Sequence, residues 1–171
     1  RPLKLGELWA LPIMLRLALI ENLRRVASRI AWRRRNRDLA QEWAQRFVNV
    51  AHERPKDLIR VLADFAAADV GLQTPFVAEL SSSLRGQSAA LAIVLNWLDQ
   101  QLAERGQNLE QILQAESQDQ ALDQASIANS IFSLRTLNSE DWRAFVENAS
   151  LAEQALLRDP LRVHGATDFR T

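Results

Sequence analysis

Cysteine is absent from the 171-residue sequence, and so is tyrosine. Without a thiol there is no disulfide, no thiolate nucleophile, no iron–sulfur cluster and no Cys-ligated zinc. Only two histidines occur, His52 and His164. A nucleophile needs a base beside it. Neither histidine has a motif around it, so both read as surface or capping residues. Glycine and proline are scarce, five of each, and no Gly-x-Gly or Gly-Lys-Ser/Thr pattern offers a cradle for phosphates. No stretch alternates apolar and polar residues with β-branched enrichment, so no strand is expected. A long hydrophobic run is missing as well. Leu8 to Ile20 is apolar but contains Pro12 and Arg16, whereas a spanning helix needs about 20 mostly apolar residues. The run also lacks the small-residue cleavage site of a secretory signal. It reads as a non-spanning, intracellular segment.

What remains is helical. Hydrophobic residues make up 47% and charged residues 25%, a globular composition rather than a disordered one. A chain of this length buries roughly 68–70% of the surface that its unfolded form exposes. Pro12 suits the first turn of a helix that runs from Ile13 to about His52; some 40 residues is long for a globular helix, which leaves room for a break near Asn36. Pro55 and Gly71 bracket a second helix. Thr74-Pro75 and Gly86 bracket a third. Ser88 and Gly106 bracket a fourth, through Leu91, Leu95, Trp97, Leu98 and Leu102. Asn108 with Gln111 resembles a capping box before a long helix to about Leu137. Ser139 is the expected cap of a last helix through Trp142, Phe145, Val146, Leu151 and Leu156, ending before Pro160. The fold class is therefore all-α, an irregular bundle of about six helices with a long first helix. Residues 1–160 are expected to form a single helical domain and residues 161–171 an irregular tail.

The charge is zero overall but uneven. Residues 1–60 carry 14 Lys and Arg against 6 Asp and Glu, and residues 61–171 carry 7 against 15. The two halves either neutralise one another within the fold or leave the basic half facing an external anion. Arg25, Arg29 and Arg33 share a helix face through steps of four, with Arg34 beside them. A nucleic-acid partner is not expected, since the sequence is neutral overall and carries no base-reading motif. Anionic lipid attracts basic segments by about 1 kcal/mol per charge, and an apolar stretch leading into these arginines suits an interfacial helix or one docked on other protein. The contact residues are then Leu8, Trp9, Ile13, Arg25, Arg29, Arg33 and Arg34. Glu116, Asp119 and Asp123 also share a helix face, but without histidine or a defined loop they read as solvated and not as a metal site. Trp9, Trp32, Trp43, Trp97 and Trp142 sit at helical spacing among Leu and Ala, which favours a place in the core over a role as sugar platforms. No catalytic residue, cofactor site or metal site emerges from the residues alone.

A family resemblance carries the reading further. Leu5-Gly6-Glu7-Leu8-Trp9-Ala10, Pro12 and Leu19-Ile20-Glu21-Asn22-Leu23-Arg24-Arg25 resemble the amino-terminal region of cyclic β-1,2-glucan synthetases. The likeness continues through Trp97-Leu98, Gly106, Gln120-Ala121, Ser126-Ile127-Ala128-Asn129, Ile131, Ser133-Leu134-Arg135, Asp141-Trp142, Leu157-Arg158-Asp159-Pro160 and Asp168-Phe169-Arg170-Thr171. The segments span almost the whole chain in the family's order. Val163-His164-Gly165-Ala166-Thr167 departs from the family pattern, which has an aromatic and a Met before Asp-Phe. The resemblance implies a large bacterial inner-membrane protein with a UDP-glucose-dependent glycosyltransferase domain and a phosphorylase-like domain elsewhere. It places this segment on the cytoplasmic side, ahead of the spans and the transferase, with the tail leading into the next part of the protein. The chain has none of the family's transferase motifs. It is thus expected to be a non-catalytic accessory or scaffolding domain whose partners are other domains of the same polypeptide, or an anionic membrane surface. A glucan-binding module and a nucleic-acid-binding helical domain are the alternatives.

Overall fold

The computed structural model describes residues 4–151 together with residues 155 and 158. The expected tail at 161–171 with His164, and Leu156, Leu157, Asp159 and Pro160, lie outside the described residues. Among the described residues there are six α-helices and no strand: α1 Leu5–Glu53, α2 Leu58–Ala67, α3 Thr74–Leu84, α4 Ala92–Glu104, α5 Leu109–Ser139 and α6 Trp142–Ala149. The expected all-α class with a long first helix is what is found.

α1 is longer than its periodicity suggested. It starts at Leu5, where the Glu7 carboxylate accepts the backbone N–H of Lys4 at 2.7 Å, half of a capping box. Pro12 therefore lies inside the helix rather than in its first turn. Its ring removes one backbone donor, but it is buried alongside Leu8 on the inner face. No break occurs near Asn36. From Ile13 to Glu53 there is no Pro or Gly to interrupt the ladder, and the Asn36 amide donates back to the Trp32 carbonyl at 2.9 Å.

Other boundaries follow local chemistry. A short 3-10 turn, Pro55–Asp57, precedes α2. α4 ends in a Schellman arrangement: Gly106, at φ 68°, donates to the Ala103 carbonyl at 3.0 Å, and Gln107 donates to that of Leu102 at 2.9 Å. Gly86, at φ 76°, closes α3 in the same left-handed conformation. Asn108 caps α5 by accepting the Gln111 N–H at 2.7 Å, and Ser88 accepts from Ala90 at 3.3 Å ahead of α4.

Three expected caps move. Thr74 falls within α3, and Gln73 precedes it. Ser139 is the last residue of α5, and the carboxylate of Asp141 caps α6 by accepting from Ala144 at 3.0 Å. After α2, the left-handed residue is Asp69, at φ 45°, and not Gly71. A non-glycine residue in this region crowds its Cβ against the neighbouring carbonyl. Asp69→Gly should therefore raise stability by about 0.5–1 kcal/mol, read as a higher urea midpoint at unchanged slope.

Two compact units are present, Arg1–Arg25 with Ser126–Thr171, and Val26–Ala125. The second holds the main core. Ala40, Ala44, Phe47 and Ala51 of α1 pack with Leu58, Leu62 and Phe65 of α2, with Phe76, Leu80 and Leu84 of α3, and with Leu91, Leu98 and Leu102 at α4. Phe65 is the centre of its aromatic cluster, with ring centroids 4.9 Å from Trp43, 5.6 Å from Phe47, 6.0 Å from Phe76 and 5.4 Å from Trp97. Trp43 and Trp97 thus stand at the edge of the core, whereas Trp9 and Trp32, expected in the core on the same spacing, are exposed.

Candidate interface and its buried ion network

In the unit containing the first turns of α1, two faces of that helix contrast. Leu8 is buried, whereas Leu5, Trp9, Ile13, Leu17 and Ile20 are exposed, Ile13 at 67% and Leu17 at 66%. Steps of four and three place these five on one side of the helix. A single exposed leucine is ordinary, but a contiguous apolar face marks an interaction surface. Within the same unit, Leu15, Leu19, Phe132 and Leu137 border an open apolar groove of about 420 Å³. Polar contacts hold the unit together. Asn22 donates to the hydroxyls of Ser126 and Ser130, each at 3.0 Å. The Leu137 carbonyl, in the last turn of α5, accepts from Arg16 at 3.1 Å and from the Trp142 indole at 2.7 Å. These two donors satisfy a helix-end acceptor that has no partner within its own helix.

The arginines divide into two kinds. Arg25 and Arg34 are exposed and form no ion pair among the described residues. Arg24 donates two hydrogen bonds of 2.8 Å to Glu21, and these hold the Glu21 carboxyl below its ordinary value. Arg29 and Arg33, in the second unit, turn onto α5 instead. Arg29 Nε donates to Asp123 at 2.8 Å, and its Nη2 reaches the same oxygen. Donating these hydrogen bonds to the Asp123 carboxylate raises the Arg29 pKa. Arg33 is only 6% exposed. Its Nη2 donates to Asp119 at 2.6 Å, while Glu116 and Asp123 lie 3.6 and 3.9 Å from its other nitrogens. Glu116 and Asp123 are buried too, at 5% and 3% exposure.

The solvated face expected for Glu116, Asp119 and Asp123 is therefore corrected for two of the three. They form the inner side of α5, and two guanidinium groups replace the water that they lose. Buried charges persist only when paired in this way. The pairs run antiparallel, Arg29 to Asp123 and Arg33 to Glu116 and Asp119, so α1 and α5 are locked in one register here. A sequence signal for this existed. Val26, Arg33, Ala40 and Phe47 recur every seven residues, as do Glu116, Asp123 and Ser130, and all seven are buried. Arg33 thus occupies a core position of its helix.

Nothing in this geometry assembles a nucleophile with a base. Among the described residues no group of three or more His, Cys, Asp or Glu side chains is arranged to hold a metal ion, and no helix is long and apolar enough to cross a membrane.

Comparison with known proteins agrees with the resemblance drawn from the segments. Over 154 residues, 90% of this chain, the sequence is 35% identical to the cyclic beta-(1,2)-glucan synthase NdvB of Rhizobium meliloti (strain 1021). The chain is similar to a piece of a cyclic β-(1,2)-glucan synthase. It spans only 5% of the length of that synthase. No family model matches the chain, and no solved structure matches it.

Proposed function

We propose that the chain is a non-catalytic accessory domain of a membrane-bound cyclic β-(1,2)-glucan synthase, on the cytoplasmic side of the bacterial inner membrane, which docks on a neighbouring part of the same polypeptide. The observation that carries this reading is the exposed apolar face of α1. Leu5, Trp9, Ile13, Leu17 and Ile20 are presented by a chain whose similarity covers 5% of a synthase, so a covering surface elsewhere in that protein is to be expected. The transferase and phosphorylase-like activities belong, on this reading, to other domains. An anionic membrane is the second candidate surface, favoured by Trp9 on the apolar face and by Lys4 and Arg25 flanking it.

An antibody raised against the chain and used on fractionated source cells gives the first test. A membrane-fraction band far above 19.4 kDa is expected; a soluble band at that mass overturns the proposal. Within the synthase, Ile13→Asp with Leu17→Asp should cut glucan yield severalfold, while the stability of the chain itself moves by less than about 0.5 kcal/mol, as for other exposed positions. Unchanged yield would remove the docking role. Binding of the chain to anionic but not neutral vesicles would shift the contact from protein to lipid.

A further inference from the structure

The edge of the aromatic cluster borders a second feature, within the Val26–Ala125 unit. The end of α2 and the outer turns of α4 enclose a cleft of about 210 Å³, bordered by Phe65, Trp97, Asp69, Gln101 and Arg105. Trp97 and Gln101 lie four residues apart on one face of α4, and Arg105 is the residue that closes that helix. Phe65 is buried and meets the Trp97 ring edge-on, at 68° between planes. This contact fixes the orientation of an indole that is itself only partly buried. Asp69 and Arg105 border the same cleft without forming an ion pair with each other. Asp69 also has a backbone φ of 45°. Non-glycine residues held in this region cluster at ligand-binding positions, where the surrounding fold maintains the strain.

The chemistry of these groups selects a ligand class. An anion would face the carboxylate of Asp69, and a cation would face the guanidinium of Arg105. A neutral polyhydroxylated ring would meet both: its O–H groups donate to Asp69 and to the carbonyl of Gln101, whose amide already donates to Glu104 at 3.0 Å, its oxygens accept from Arg105, and its C–H face lies against the indole. The volume suits one ring and not a longer chain. We propose that this cleft binds a single neutral sugar ring stacked on Trp97 and held by Asp69, Gln101 and Arg105. The site uses none of the docking residues and does not rest on that reading.

The test is a titration of the ¹⁵N-labelled 171-residue chain with D-glucose, following the five tryptophan indole signals, with that of Trp97 assigned through Trp97→Phe. A saturable shift centred on Trp97, with a Kd on the order of millimolar, is expected for so small a ligand. Asp69→Asn, Gln101→Ala and Arg105→Ala should each weaken binding by about tenfold, the loss expected for one charged or polar contact, with an unchanged circular dichroism spectrum. Asp69→Gly should abolish binding while raising Tm, a combination that loss of fold cannot produce. Absence of a shift at Trp97, a shift equally strong in all the variants, or the same saturable shift with sodium acetate would each overturn the proposal.

Discussion

Replacing Arg33 by methionine should lower the stability of the chain by about 3–5 kcal/mol, the range found when one partner of a buried ion pair is removed. The loss arises from what stays behind. Glu116, 5% exposed, is left with no cation within 4 Å, whereas Asp123 retains Arg29. The double variant Arg33→Met with Glu116→Met should therefore recover most of the loss, since a buried pair replaced by packed apolar groups is often neutral or stabilising. Urea unfolding of the parent, the single variants and the double variant measures the coupling directly. A loss under about 1 kcal/mol for Arg33→Met, as for an exposed pair, would contradict the buried network. The network also decides how the proposed contact surface is tested. Charge reversal at Arg33 would act through the fold, so Arg25 and Arg34, both exposed, are the positions at which reversal reports on an external anionic surface.

Phe65→Ala should also cost about 3–5 kcal/mol, as for other buried phenylalanines. Its ring lies within 6.0 Å, centroid to centroid, of Trp43, Phe47, Phe76 and Trp97. Its removal thus leaves a cavity where α1, α2, α3 and α4 meet. Near-UV circular dichroism should lose intensity together with the stability, because two of the four neighbours are tryptophans. Phe132→Ala provides the contrast. That ring is 71% exposed, and its removal should change the stability by no more than about 0.5 kcal/mol. Equal losses at the two positions would mean that Phe65 is not the centre of the core.

The all-helical class could be read from the chain because its causes are local. Scarce Gly and Pro, apolar residues at steps of three and four, and caps at Asn108, Ser88, Gly86 and Gly106 act within a few residues of themselves. The Schellman closure at Gly106 needs no distant partner. A proline in a first turn and one inside a helix look alike in sequence, and only the burial of the Pro12 ring beside Leu8 distinguishes them. At the end of α2, Gly71 is the stronger local candidate for a left-handed cap, and the choice of Asp69, two residues earlier, lies in how α2 leaves the core.

The sequence alone carries no cysteine, no phosphate-loop pattern and no strand pattern, and it shows an apolar segment from Leu8 to Ile20. Its ordered segments were also enough to place it beside the cyclic β-1,2-glucan synthetases. Only the tertiary structure decided which charges are inside. Arg25 and Arg33 look alike in sequence, as do Glu116 and Glu110. Arg33 and Glu116 are buried because α1 and α5 bring cation and carboxylate together where neither could be desolvated alone. The same holds for Trp97, Asp69 and Arg105, which are spread over 37 positions of the chain and border one cleft only once α2 and α4 have packed. Burial and proximity are properties of pairs of elements, and a pattern confined to one helix does not contain them.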